Sequence, residues 1–155
     1  MNEILNNNEY SDLEIISFYL GEQVFSVNIM SVREIRGWTN ATPLAHAPHY
    51  VLGVINLRGT VIPVINMALR LGLDAITETE RSAIIVANIQ GQLVGLLVDN
   101  VSDMVTVAKE EIQNVPEVGP AEVQRLTTAI ITKEKSMISH LDLNSLLDEE
   151  IELAA

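Results

Sequence analysis

A chain of 155 residues, 48% apolar and 19% charged, has enough material for one domain with a full core or two very small ones, and its composition excludes disorder. Its net charge of −12, with nine Lys and Arg scattered singly, provides no basic stripe for nucleic acid or an anionic membrane surface and suits a neutral or basic protein partner. It has no Cys, hence no disulfide, thiolate nucleophile or Cys-ligated metal, and with only 4% aromatic residues its core is built from Val, Ile and Leu, which favour strands.

Residues 1–11 read as a polar tail without the basic and apolar regions of a signal peptide. No apolar run approaches the ~18 residues of a membrane span, and the expected setting is a reducing cytoplasm. From Leu13 to Leu20 the chain alternates as a strand, Gly21-Glu22-Gln23 turns it, and Val24 to Val27 returns. Ile29 to Ile35 fits either a helical turn or a strand around Val32 to Arg36. Gly37 to Pro48 reads as a loop, in which Asn40-Ala41-Thr42 is a chance glycosylation match. Val51 to Leu57 and Thr60 to Ile65 are apolar strands about Arg58-Gly59. Pro63 cannot donate to a ladder, which places the second of them at an edge or on a bulge.

Met67 to Leu73 has helical spacing, with Gly72 as its stop. Asp74 to Arg81 is a polar connection. Ala83 to Ile89 and Gln92 to Val98 flank Gln90-Gly91 as a second clear hairpin. Val101 to Val107 is a further strand. Lys109 to Glu122 reads as loop with at most a turn of helix. Leu126 to Thr132 and Met137 to Leu143 flank Lys133-Glu134-Lys135, a third hairpin, and Asn144 caps a short helix carrying Leu146, Leu147 and Ile151. Nine or ten short strands at these intervals indicate a mostly β protein of barrels or sandwiches. The strand–turn–strand pattern recurs in the two halves, which permits two small barrels packed together.

Chemistry-bearing residues are few. His46 and His49 are separated by Pro48 in a loop, so helical spacing for a shared metal is absent. Asp99 and Asp103 flank a loop too poor in oxygen ligands for calcium. His140 has no obvious orienting partner and reads as a surface residue or one hydrogen-bonded to a neighbour. No phosphate loop, dinucleotide fingerprint or serine elbow is present. These residues leave a protein-binding module as the reading, without catalysis, cofactor or metal. A small hydrolase using Asp99, Asp103 and a histidine on a divalent ion is the weaker alternative.

One segment stands apart. Gly53-Val54-Ile55-Asn56-Leu57-Arg58-Gly59 is an apolar strand that surfaces at an Asn and an Arg, turns, and returns as Thr60-Val61-Ile62-Pro63-Val64-Ile65-Asn66. A strand-end arginine is suited to bidentate contact, or to pairing with a carboxylate of its own domain. This segment resembles the signature of CheW-like coupling domains. Val32-Arg33-Glu34-Ile35, Gly95-Leu96-Leu97-Val98-Asp99-Asn100-Val101 and Leu141-Asp142-Leu143 match in order as well, so the resemblance runs from about Glu14 to about Leu147. The chain has no room for a kinase core or a receiver domain and resembles a free-standing member.

The resemblance implies two five-stranded SH3-like barrels side by side, occupying residues 12–148, with an acidic tail at 149–155. It implies an adaptor that couples transmembrane chemoreceptors to the regulatory domain of the histidine kinase CheA, located at the inner face of the membrane, with ring contacts between copies. A non-flagellar chemosensory pathway is the alternative setting. By alignment, the receptor side comprises Asn56, Leu57, Arg58, Ala83, Val98 and Met104. The kinase side comprises Val32, Glu34, Ile35, Gly53 and Val54. Glu34 also matches a carboxylate that pairs with the signature arginine. Three departures stand out: Asn66 where Asp is common, Ala129 where Gly is common, and Ser139-His140 in a strand that is usually apolar.

Overall fold

The computed structural model describes residues 13–74 and 79–147. The expected tails, Ile151 and part of the 74–81 connection lie outside these residues. Eleven strands form two sheets. They are β1 (Leu13–Leu20), β2 (Gln23–Asn28), β3 (Val32–Gly37), β4 (Val51–Leu57), β5 (Thr60–Asn66), β6 (Ala83–Ile89), β7 (Gln92–Val98), β8 (Asn100–Val107), β9 (Ile112–Gln113), β10 (Thr127–Lys133) and β11 (Ser136–Leu141). Two short helices, α1 (Met67–Arg70) and α2 (Ala121–Leu126), join them.

The first sheet has six strands, ordered β8-β1-β2-β11-β10-β9, and the second has five, ordered β3-β6-β7-β5-β4. In each sheet the two edge strands are consecutive in the chain. This forces curvature. The five residue steps from Val107 in β8 to Ile112 in β9 reach at most about 18 Å, whereas a flat six-stranded sheet is about 24 Å across. The second sheet curls as well, because Arg58 at the β4–β5 turn touches Glu34 on β3, the opposite edge. Thr42, in the loop after β3, exchanges two 2.8 Å backbone hydrogen bonds with Val54 and covers the outer edge of β4.

The two sheets do not follow the halves of the chain. The second sheet is one continuous insert, β3 to β7, while the first draws strands from both ends. A parallel pairing of β2 with β11 joins the two ends of the chain in the first sheet, and a parallel pairing of β5 with β7 joins the two hairpins of the second. One face of β1 and β2, carrying Phe18, Leu20, Phe25 and Val27, lies in a core shared with the second sheet. The opposite face, with Leu13 and Ile15, packs with Val107, Ile131 and Ile138 in a smaller core inside the first. Both phenylalanines of the chain are fully buried in the shared core.

Several expectations are corrected. β5 lies inside its sheet, not at an edge. A two-residue turn makes Leu57 and Thr60 a hydrogen-bonded pair, so Val54 and Pro63 face each other without ladder bonds. The proline nitrogen therefore points toward β7, whose pairing begins one residue later, at Val64. The bulge lies in the partner strand, between Val51 and Gly53. The 109–122 segment is more ordered than expected, holding a 3-10 turn, β9 and the start of α2. The C-terminal turn over Leu143–Ser145 is capped by Asp142, which accepts from the Asn144 N–H, rather than by Asn144. Asn66 caps α1 by accepting from the Leu69 N–H at 3.2 Å, a task for which Asn serves as well as Asp. Ala129 is buried and does not adopt a left-handed backbone.

Candidate partner-binding surfaces

The β4–β5 turn is built by its sequence. Arg58 and Gly59 both have positive φ, 51° and 89°, as a type I′ hairpin requires. Gly59 takes this at no steric cost, whereas Arg58 adopts it against its preference. The Asn56 side chain accepts the Gly59 N–H at 2.8 Å and locks the turn. The β6–β7 turn repeats the device: Gln90 and Gly91 have φ 52° and 87°, and Asn88 accepts the Gly91 N–H at 2.9 Å. The repeated spacing, Asn then apolar then one residue then Gly, is legible in the sequence and marks both turns.

The turn presents Arg58 with its side chain 70% exposed. Its guanidinium grips Glu34 through both terminal nitrogens, Nη2 closely and Nη1 at 3.5 Å. Arg36 Nη1 approaches the same carboxylate at 3.9 Å. The hydrogen bond from Arg58 holds the Glu34 carboxyl below the usual carboxylate range, and the charges of Arg58 and Arg36 act in the same direction. The pair is internal, but it lies at the surface.

The two inferred sets divide by exposure. Asn56, Arg58, Met104 and Ile35 are exposed, with Met104 at 71% on edge strand β8. Val32, Glu34 and Val54 are half-buried. Leu57, Ala83, Val98 and Gly53 are buried, the first three in the shared core. Gly53 is a close-approach position: with φ 149°, a Cβ there would lie 2.1 Å from the Thr42 carbonyl oxygen. The Glu34–Arg58 contact joins a residue of the kinase-side set to one of the receptor-side set.

The residues considered for chemistry have structural employment. Asp99 Oδ2 accepts the Gly21 N–H at 2.6 Å and pins the β1–β2 turn. Asp103 exchanges backbone hydrogen bonds with the Ser17 hydroxyl, each 3.2 Å long. His140 is not at the surface but buried, with Nδ1 2.8 Å from the Ser26 hydroxyl. Burial pushes its pKa down to about 4, against a smaller upward pull from Asp142. His46 lies in a left-handed loop position, and His49 packs edge-on against Tyr50. Among the described residues no three His, Asp or Glu side chains are grouped to hold a metal ion, and no helix is long and apolar enough to cross a membrane.

Sequence reasoning missed Arg70, which is 7% exposed. Its Nε donates to the Leu146 carbonyl at 2.7 Å, its Nη1 to Glu122 at 2.7 Å, and the guanidinium lies 4.9 Å from the Tyr50 ring centroid. A lone arginine in a helical stretch carries no local mark of such a role, since its partners are some 50 to 75 residues distant.

Comparison with known proteins adds lineage to this geometry. Residues 14–150 match the family model of the CheW-like domain. The chain is 50% identical over 138 residues to a probable chemotaxis protein CheW of Rhizobium etli, covering 89% of each chain. It is 48% identical over 142 residues to the chemotaxis protein CheW of Rhizobium meliloti, covering 92% of each. The crystal structure of scaffolding protein TtCheW from Thermoanaerobacter tengcongensis superposes with a TM-score of 0.81 at 29% identity, covering 88% of this chain and 93% of that one.

Proposed function

This chain belongs to the CheW-like family of non-enzymatic chemotaxis scaffold proteins, and from that premise we propose that it couples chemoreceptors to the kinase CheA by binding both. The observation that carries this reading is the exposed Arg58, held on a rigid turn beside the half-buried edge of β3. Asn56, Arg58 and Met104 are the contacts for a receptor's helical tip. Val32, Ile35 and Val54 are the contacts for the regulatory domain of CheA. Leu57, Ala83, Val98 and Gly53 hold those contacts in place from below.

In this reading the 12–148 segment works in the cytoplasm, at receptor arrays on the inner face of the membrane, and contacts between copies complete the rings. The mechanism is mechanical. A specific contact of this type buries about 800 Å² on each partner, and signalling requires two arrangements of the assembly that differ in free energy. The test is direct binding of the purified protein to a receptor-tip fragment and to the CheA regulatory domain. Saturable binding to both is expected. Binding to neither at high micromolar concentration would remove the proposal.

A further inference from the structure

Two guanidiniums, Arg36 and Arg58, converge on one carboxylate, Glu34, at a corner of a chain whose net charge is −12. The sharing is unequal. Glu34 is gripped by Arg58 and lies only at the outer limit of ion pairing from Arg36, at 3.9 Å. Arg36 retains spare donors, its Nε being buried without a hydrogen-bond partner. Arg58 faces outward at 70% exposure, whereas the Glu34 side chain is 29% exposed. Val61, 61% exposed, stands opposite Asn56 in the same hairpin and gives the corner an apolar flank.

We propose that Glu34 is an internal stand-in for a carboxylate on the receptor-side partner, and that Arg36 takes Glu34 over when that carboxylate binds Arg58. The exchange strands no charge, because each guanidinium ends with one carboxylate. It moves side chains only, since the Asn56–Gly59 hydrogen bond holds the turn. The occupant is an acidic side chain set among apolar ones on a protein surface, as the local cationic surplus and Val61 together require. Arg36 is then a positioning residue that acts through Glu34 without touching the partner.

The inference rests on the receptor reading, and a mutant cycle separates the two. A receptor-tip fragment is titrated by calorimetry against wild type, E34Q, R36Q and the E34Q/R36Q double variant, with each Tm as a folding control. E34Q should bind about fivefold tighter and R36Q about fivefold weaker, while the double variant should match E34Q. A fragment whose exposed glutamates are changed to glutamine should lose these differences. An R36Q effect that persists beside E34Q would show direct contact and overturn the relay. So would equal affinities for all four proteins. If wild type itself does not bind the fragment, the receptor reading fails first and takes the relay with it.

Discussion

Arg58 occupies a backbone conformation that favours glycine, asparagine or aspartate over a long side chain. Gln90 and Glu134 share this conformation at exposed turns, so what sets Arg58 apart is its guanidinium, not its backbone. Its ion pair with Glu34 is exposed, and such pairs contribute little to stability. Arg58→Gly should therefore leave Tm within about 3 °C of wild type, or raise it, while abolishing receptor-tip binding. Thermal melts beside a binding titration check this. A fall of about 10 °C would make Arg58 a folding residue and its effects on signalling indirect. Gly53 is the opposite case. A methyl group there meets the Thr42 backbone at 2.1 Å, so Gly53→Ala should cost about 3 kcal/mol or more, read as a lower urea midpoint. Loss of kinase coupling in that variant would reflect folding, not a lost contact.

Hairpins were the most legible elements, because their turns are coded within a few residues. Gly21, Gly59 and Gly91 all take the positive φ that their turns require. The parallel seams were not legible. β2 meets β11 across more than a hundred residues, and no local pattern announces the pairing. For the same reason His140 was readable only as an isolated histidine, since its partner Ser26 lies on the far side of that seam. The signature segment was legible, but the burial of Leu57 and Val98 beneath it depends on how the second sheet packs.

The seam carries a pH dependence. Folded His140 has its pKa depressed to about 4 from 6.5, so between those values the unfolded chain binds the proton more readily. Its contribution is complete above pH 6.5 and is lost as pH falls toward 4, by about 3 kcal/mol. Asp142, the charge that acts on the ring, opposes this loss. Denaturation at a series of pH values should show His140→Gln lacking that part of the slope. Parallel slopes for the two proteins would mean that the histidine is not buried in the neutral form.

At the scale of the molecule, the chain makes its two sheets interdependent. The second is threaded between strands of the first, so neither can unfold without disturbing the connections of the other. Arg70 adds a bond between them at one point. From α1, which follows β5, it reaches the carbonyls of Ser145 and Leu146 beyond β11 and the carboxylate of Glu122 on α2. Glu122 has Arg125 as a second partner, so loss of Arg70 strands carbonyls rather than a buried charge. Arg70→Met should therefore cost about 3 kcal/mol, near the sum of two unmade buried hydrogen bonds, rather than the larger cost of an orphaned ion. Trp38, the chain's only tryptophan, packs against the shared core and reports on the second sheet, while far-UV circular dichroism reports on both. In wild type and variant alike the two signals should follow one transition. Separate midpoints would show that the sheets unfold independently and that signals cannot pass between the partner faces through a rigid core. Coincident midpoints, lowered together in the variant, would identify that core as the body that holds the Arg58 turn in fixed relation to the Met104 strand.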